Sequence, residues 1–329
     1  RHYYDTQQSI FGEGNYYFTP TLHATLGVRY IEATDTLDRT GDLYYNLSPL
    51  TAATGFLQTS ATTSGNSTTP KLAMTWEVDP TDTLYASASE GYRLGGLNFP
   101  IPQAYCGLNA APPLNYASDS LWSYEIGDKS RFLGNRLSVN TSLFYVNWKN
   151  LQQQIPLSCG FNYNTNVGDA TSYGAELEIK AKPISSVTID FAAGVTHATL
   201  SDSSGANAGV TGAVDGATIP GVPKFNAALT AQYNFNVNGD TYGFARGAVH
   251  WTGSSYGALD PSNPDYQRPA YNTIDASTGL TWDKWELSLF VKNLLNNDMV
   301  IQHPVVQSVD NEAYRIAPRT IGISLSGKL

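Results

Sequence analysis

The 329-residue chain lacks any apolar run that approaches the roughly 18 residues of a membrane-spanning helix. Charged residues make up only 14% of the chain, which is well below the ~25% of a typical soluble domain. Basic residues form no cluster and the formal net charge is −9, so we expect no nucleic-acid partner. Because the surface carries so few charges and no spanning helix is present, the membrane structure to consider is a β-barrel.

The sequence also lacks the patterns of catalytic and metal-binding sites. Its five histidines show no metal-ligand spacing, and neither a Gly-x-Ser-x-Gly motif nor a nucleophile with a matching base is evident. The glycine-rich run GYRLGGLN at 91–98 precedes no helical pattern, so it is weak evidence for phosphate binding. We therefore predict that the chain is not an enzyme and has no catalytic residues, metal ligands or cofactor.

What the chain does contain is strict alternation of apolar and polar residues over segments of ten to fifteen residues. A soluble β-sandwich also alternates, but its strands are mostly about 5 to 6 residues long, whereas a tilted membrane-spanning strand needs about 9 to 11. Length therefore favours an all-β, antiparallel transmembrane barrel. The thirteen predicted strands are 6–18, 21–34, 69–78, 82–95, 119–131, 135–149, 169–181, 185–199, 222–236, 240–252, 270–282, 284–294 and 315–329.

The connections between these strands alternate between short and long. The short ones are 19–20, 79–81, 132–134, 182–184, 237–239 and 283, and several are rich in turn-forming residues. The long ones are 35–68, 96–118, 150–168, 200–221, 253–269 and 295–314, and the Thr/Ser/Gly-rich run 51–69 is predicted to be a mobile loop. Short periplasmic turns and long extracellular loops are typical of bacterial barrels, which have an even number of strands. An odd count predicts that the chain is incomplete at its start and that its last strand ends at the periplasmic rim.

Aromatic residues cluster where the predicted strands meet their connections, as in the aromatic girdles of membrane barrels. The alternative is ordinary packing in a protein core. The predicted lower girdle is Tyr16, Tyr17, Phe18, Trp282 and Trp285, and the upper one is Tyr92, Tyr145, Trp148 and Trp251.

Five stretches of the chain resemble TonB-dependent outer-membrane receptors. The longest is 123–155, SYEIGDKSRFLGNRLSVNTSLFYVNWKNLQQQI, which is similar to the family's Tyr-Glu-x-Gly-x-Lys strand, Gly-Asn-Arg turn and following Phe-Tyr to Gln-Ile strand. The others occur in family order and reach both ends of the chain: 8–30, 166–178, 291–296 and 318–329. Two features depart from the pattern. The chain ends in Leu329 instead of an aromatic residue, and Asp128 places a carboxylate on the nominally lipid-facing side of its strand.

The resemblance implies a barrel of about 22 strands with an N-terminal plug domain. Residues 1–329 would be the C-terminal portion of that barrel, roughly strands 10 to 22, and the plug and first strands would be absent. The family imports scarce nutrients, most commonly ferric siderophores, with energy from the TonB complex. The implied partners are TonB, acting through the missing plug, an extracellular ligand such as a ferric chelate, and the lipids of the outer membrane of a Gram-negative bacterium.

Arg93 could face the lumen and contact an anionic ligand, or it could pair with another carboxylate of the lumen. Cys106 and Cys159 lie in successive long loops, and because the cell surface is oxidising they could form a disulfide or remain two thiols. Loop aromatics and amides are candidate ligand contacts, although each could instead pack the loops together. The candidate ligand contacts are Tyr92, Arg93, Asn98, Tyr105, Asn109, Tyr163, Asn164, Tyr256, Tyr266 and Gln302.

Three functional alternatives remain open at this point. The first is TonB-energised import of a ferric siderophore, or of a carbohydrate or another ligand without iron. The second is passive diffusion through a porin-like pore. The third is a soluble β-sandwich or propeller, for which the chain shows no blade-length repeat.

Overall fold

A computed structural model of the chain describes residues 2–42, 56–99, 101, 103, 106–157, 159–203, 211–263, 265–303 and 313–327. Among these residues no helix is long and apolar enough to cross a membrane. The described secondary structure is almost entirely β. The strands in chain order are β1 His2–Thr19, β2 Leu22–Asp42, β3 Phe56–Asp79, β4 Asp82–Arg93, β5 Gly96–Leu97, β6 Asn115–Tyr116, β7 Asp119–Phe132, β8 Leu137–Lys149, β9 Gln152–Pro156, β10 Asn162–Asn166, β11 Asp169–Ala181, β12 Val187–Asp202, β13 Phe225–Asn238, β14 Thr241–Thr252, β15 Ser255–Tyr256, β16 Gln267–Arg268, β17 Tyr271–Trp282, β18 Trp285–Lys292, β19 Val300–Gln302, β20 Tyr314–Arg315 and β21 Thr320–Gly327.

Thirteen of these strands form one antiparallel sheet in which each strand pairs with the next. The order is β1-β2-β3-β4-β7-β8-β11-β12-β13-β14-β17-β18-β21, so β1 and β21 stand at its two ends. The remaining strands form four two-stranded sheets, β5-β6, β9-β10, β15-β16 and β19-β20, within the long connections. The predicted all-β fold with thirteen sheet strands is therefore confirmed.

The predicted turns all fall between neighbouring strands at one end of the sheet. In the turn between β7 and β8, Leu133, Gly134 and Asn135 have φ values of 55°, 63° and 65°, a left-handed backbone that glycine and asparagine tolerate best. Between β3 and β4, the hydroxyl and the backbone N–H of Thr81 both donate to Asp79 Oδ1 at 2.7 Å. These hydrogen bonds stabilise the ionised form of Asp79 over the protonated form, and they hold the pKa of Asp79 below its ordinary value.

One prediction was wrong: most of the segment 35–68 is strand and not loop. β2 continues to Asp42 and β3 begins at Phe56, in unbroken register with each other, while residues 43–55 lie outside the described part. The run 51–69 is rich in Ser, Thr and Gly, which led us to expect a loop. Threonine also has a high strand propensity, and the hydroxyl oxygens of Thr36 and Thr62 lie 3.1 Å apart across the pair.

Directly paired residues place their side chains on the same side of the sheet, which defines two faces. We call the side that carries Ile126, Leu143 and Val195 the apolar face, and the side that carries Lys129 and Glu178 the polar face. Ile126 and Leu143 are each 59% exposed. Apolar side chains exposed to this extent along a continuous sheet surface match a wall that faces lipid.

Glycines on the polar face are covered by aromatic rings from neighbouring strands. A Cβ added at Gly127 would lie 2.5 Å from the ring of Tyr85, and one at Gly174 would lie 2.7 Å from the ring of Phe144. Glycine weakens a strand because it has no side chain to pack, and a ring laid across it restores the missing contact. These two pairs stabilise the part of the sheet formed by β4, β7, β8 and β11.

The aromatic rings predicted to form the lower girdle lie at the end of the sheet that carries the short turns. Tyr16 and Phe18 contact each other edge to face, with ring centroids 5.0 Å apart. Trp285 begins β18 and is about half exposed. In the upper set, Tyr145 lies on the apolar face and is exposed, whereas Trp148 packs against buried residues of the loops.

Candidate ligand-binding loops

The hydrophobic core of the described structure lies among the long connections and the adjoining ends of β11 and β12. We call this region the loop cap and define it as the described residues of 96–118, 150–168, 200–221 and 253–269. Its centre is a cluster of buried apolar side chains to which three of the four segments contribute. The members of the cluster are Leu151, Ile155, Leu157, Tyr163, Val167, Ala170, Leu200, Ala213 and Leu259. The loops are therefore packed against one another as one structured unit.

Cys106 and Cys159 join two segments of the loop cap by a disulfide, with their Cα atoms 5.1 Å apart. Both cysteines pack against the buried apolar cluster. The bond links residues 53 positions apart in sequence. It ties the connection after β4 to the hairpin formed by β9 and β10.

Asp119 is the polar centre at the base of the loop cap. Its side chain is only 1% exposed, and Arg93 donates to both of its carboxylate oxygens, from Nε at 3.1 Å and from Nη2. The indole N–H of Trp148 and the backbone N–H of Gln152 each donate to Asp119 Oδ2 at 3.0 Å. Four donors from three segments of the chain thus converge on one buried carboxylate, which meets the requirement that a buried charge be paired.

Arg93 itself is half exposed, and its guanidinium carbon lies 5.5 Å from the centre of the Trp148 ring. Nη2 also donates to the backbone oxygen of Gln152 at 3.2 Å. Within the described part of the chain, Nη1 has no hydrogen-bond partner. Of the two alternatives drawn from the sequence, the structure shows the ion pair between Arg93 and a carboxylate, that of Asp119. Nη1 takes no part in this pair and could donate to an anionic group.

Asn98 fastens the connection after β4 to strand β10. Its side-chain amide donates to the backbone oxygens of Pro113 at 2.9 Å and Asn164 at 2.6 Å, and its Oδ1 accepts from the N–H of Asn164 at 2.8 Å. Asn98 is 9% exposed. Both predicted ligand contacts therefore lie together, and the side-chain amide of Asn98 is engaged with the backbone.

A second buried carboxylate, Asp265, joins the connection after β14 to the connection after β18. Its Oδ2 accepts from Arg268 Nε at 3.0 Å and Nη2 at 2.5 Å, and its Oδ1 accepts from the backbone N–H of His303 at 2.8 Å. The ring of Tyr256 lies 4.9 Å from that of Tyr266, next to this group. Gln302 is half-buried beside His303 at the end of β19.

The remaining predicted contacts are more scattered. Tyr163 is buried in the apolar cluster, and this burial raises the pKa of its hydroxyl above the ordinary value. Tyr92 lies over β3, where a Cβ added at Gly65 would meet its hydroxyl oxygen at 2.4 Å. Asn109 is exposed in the connection after β4. Tyr105 lies outside the described residues.

Sequence reasoning missed Asp119, Asp265 and Gln152, which hold the predicted residues in place. The predicted strands 82–95 and 119–131 are antiparallel neighbours, so their loop-side ends face each other and bring Arg93 opposite Asp119. This complementary pair could have been found from the strand ends alone. Asp265 gives no such signal, because it lies in an irregular connection.

Comparison with known proteins agrees with this architecture. The family model described as "TonB dependent receptor-like, beta-barrel" matches residues 1–294. The metal-pseudopaline receptor CntO of Pseudomonas aeruginosa is 24% identical over 221 residues, which are 67% of this chain and 28% of that protein. The chain thus spans less than a third of this relative's length.

Solved structures share the fold at low sequence identity. The ferric yersiniabactin uptake receptor FyuA from Yersinia pestis superposes with a TM-score of 0.75 at 18% identity, covering 98% of this chain and 45% of that one. The copper transporter OprC gives a TM-score of 0.71 at 15% identity, covering 98% and 47%. Both likenesses concern the fold, and the family is that of transporters and not of enzymes. With the family model matching most of its length, the chain belongs to the TonB-dependent receptor β-barrel family of outer-membrane proteins.

Proposed function

We propose that the chain forms the C-terminal part of the barrel of an outer-membrane importer that takes up a metal chelate. The chelate that we propose is a ferric siderophore. In this proposal the loop cap is extracellular and the short turns and the last strand end face the periplasm. TonB supplies the energy through a plug domain that lies outside residues 1–329. Lipids of the outer membrane surround the apolar face.

The observation that carries the proposal is the combination of family membership with a structured loop cap at one end of the sheet. A diffusion pore needs no buried core in its loops, whereas a receptor must hold its contacts in a fixed arrangement to bind a scarce ligand. Here the ion pairs of Asp119 and Asp265 and the disulfide fix the positions of the loops.

Arg93 is the residue that we place first among the ligand contacts. Its guanidinium is half exposed while Asp119 fixes its orientation, so Nη1 is presented at the base of the loop cap. A fixed guanidinium suits carboxylate, hydroxamate or catecholate oxygens, which carry negative charge in metal chelates. The named relatives are receptors for metal-pseudopaline and ferric yersiniabactin, which supports a chelate as the ligand.

The test is deletion of the complete gene followed by growth and radiolabelled uptake under iron limitation, with a panel of ferric siderophores. We expect uptake of at least one chelate to be lost and to return with the intact gene. Unchanged uptake of all ferric chelates would overturn the assignment of a ferric siderophore as the ligand. The same assay with copper, zinc and nickel chelates and with oligosaccharides would then identify the ligand class.

A second strain separates active import from passive diffusion. In cells that lack TonB, an energised importer takes up no chelate even when the receptor is present at normal abundance. A pore continues to conduct. Uptake that is independent of TonB would therefore contradict energised import and support passive diffusion through a porin-like pore.

A further inference from the structure

The apolar face contains a feature that ligand import does not use. A groove of about 620 Å³ crosses this face from Leu84 on β4 to Phe225 on β13. Its floor includes the small, half-buried side chains of Ala175 and Ala193. Its volume falls within the ~300–1,000 Å³ typical of small-ligand sites.

Larger apolar side chains flank Ala175 along one row of directly paired residues. Ile126 and Leu143 lie on its β8 side, and Val195 and Phe225 lie on its β12 side. The groove is therefore lined mainly by hydrocarbon and is open toward the side that we assign to lipid. Its shape and chemistry suit a single acyl chain.

A carboxylate lies at one end of this groove. Asp128 lines it, four residues before Phe132 ends β7, which is about 13 Å along the strand from the short-turn rim. Asp82, the first residue of β4, is close by, because both carboxylates contact the hydroxyl of Ser130. Ser130 Oγ lies 2.7 Å from Asp128 Oδ2 and 2.6 Å from Asp82 Oδ1.

These two carboxylates lack a counter-charge within the described part of the chain. A serine hydroxyl has one hydrogen to donate, so Ser130 can satisfy only one of the two at a time. The six ion pairs between described residues involve neither Asp82 nor Asp128. Negative charge on a lipid-facing surface carries a cost that depends on its depth, and a nearby cation would offset that cost.

We propose that the groove binds a phospholipid with a primary-amine headgroup, its acyl chain over Ala175 and Ala193 and its ammonium group on Asp128 and Asp82. Such a lipid supplies both features that the site demands, a cation near the short-turn rim and a continuous hydrocarbon chain beside it. A lipid with an anionic headgroup fits the groove equally well but is repelled by the carboxylates. This site is independent of the ligand that the receptor imports.

Native mass spectrometry of the delipidated full-length receptor tests the proposal, with phosphatidylethanolamine and phosphatidylglycerol of identical acyl chains as the probes. We expect the receptor to retain the amine lipid about fivefold more tightly, the size of one charge interaction near a membrane surface. Asp128→Asn should abolish this preference. Ala193→Phe should reduce retention of both lipids, because it fills the groove without adding charge.

Asp190→Asn is the matched control, since Asp190 lies on the polar face opposite Lys180 and away from the groove. It removes one carboxylate and should leave the lipid preference unchanged. Equal retention of the two lipids by the unmodified receptor, or a preference that survives in Asp128→Asn, would overturn the proposal. If Ala193→Phe does not assemble, Ala193→Leu provides a smaller filling of the same groove.

Discussion

Arg93 and Asp119 form a two-point ion pair in which the carboxylate is almost completely buried and the guanidinium remains half exposed. The buried partner holds the arginine in place, and the arginine presents its unused edge at the base of the loop cap. The pair therefore connects the structure of the loops to the ligand contact that we propose for Arg93, and the two roles can be separated by experiment.

Replacing Arg93 and Asp119 separately distinguishes ligand contact from loop support. If Arg93 contacts an anionic chelate, Arg93→Ala should lower chelate affinity about tenfold or more, as loss of a charged hydrogen bond does. Arg93→Lys should recover only part of it, because an ammonium cannot reproduce the two-point geometry. Binding to receptor in outer-membrane vesicles measures both. Equal affinity in Arg93→Ala and the unmodified receptor would leave Arg93 with a purely structural role.

Asp119→Asn should loosen the loop cap while the sheet remains intact. Asp119 accepts from Gln152 N–H, Trp148 Nε1 and Arg93, so loss of its charge weakens several contacts at once, by about 2 kcal/mol in total. Hydrogen exchange followed by mass spectrometry should show faster exchange in residues 150–168. Exchange in β13 and β14, which lie in the sheet, serves as the internal control. Unchanged exchange at 150–168 would show that the other loop contacts suffice.

Because Cys106 and Cys159 are joined by a disulfide, we expect a cross-linked pair of peptides in the receptor isolated without reductant. Digestion and mass spectrometry should recover Cys106 joined to Cys159, with no alkylation of either before reduction. In the chain-entropy treatment, closing a loop of 53 residues contributes about 4 kcal/mol. Cys106→Ser with Cys159→Ser should therefore make the loop cap more sensitive to protease, while the barrel remains resistant. Two freely alkylated thiols would exclude the bond.

The loop cap should also loosen at high pH because of Tyr163. Burial raises the pKa of Tyr163 in the folded state, so the folded state keeps the proton at a pH where the unfolded state has lost it. The contribution of Tyr163 to stability is complete below the ordinary tyrosine pKa of about 10 and declines as pH rises above it. Protease sensitivity of the loop cap measured from pH 8 to 11 should rise less steeply in Tyr163→Phe. Identical profiles would remove Tyr163 as the cause.

Phe144→Ala should destabilise the sheet by exposing the backbone of Gly174. A cross-strand aromatic pair of this kind contributes about 1 kcal/mol, and the thermal unfolding temperature of the barrel should fall accordingly. Gly174→Ala should be more harmful, since its Cβ would lie 2.0 Å from the backbone oxygen of Val195. Gly12→Ala is the control, because an added Cβ there has no atom within 4 Å.

The thirteen sheet strands and their turns could be predicted from the sequence because each strand has one apolar face and the turns carry Pro, Asp, Asn and Gly. The extension of β2 and β3 could not. This extension consists mostly of Thr, Ser, Gly and Asp, so it lacks the alternation of apolar and polar residues that indicates a strand. The sequence therefore favours a loop at Thr62, although Thr62 pairs with Thr36.

The loop cap was the least predictable part for a related reason. Its residues were correctly assigned to long connections, and the two cysteines were recognised as potential partners. The contacts that fix the cap, such as Asn98 with Asn164 or Asp265 with His303, join irregular segments far apart in sequence. Neither the hydrophobic periodicity nor the composition of the sequence indicates such contacts. Only the complete fold brings these residues together.

The long β2-β3 hairpin has a consequence for how the molecule meets its neighbours. Residues 56–70 of β3 pair with β2 but lie beyond the last β3 residue that pairs with β4, Lys71, so within the described chain their other backbone edge is unpaired over about 50 Å. An unpaired edge of this length is a template for strand addition by a second polypeptide. In concentrated solution, we expect self-association of the receptor to start along this edge, and charged substitutions there should keep it dispersed.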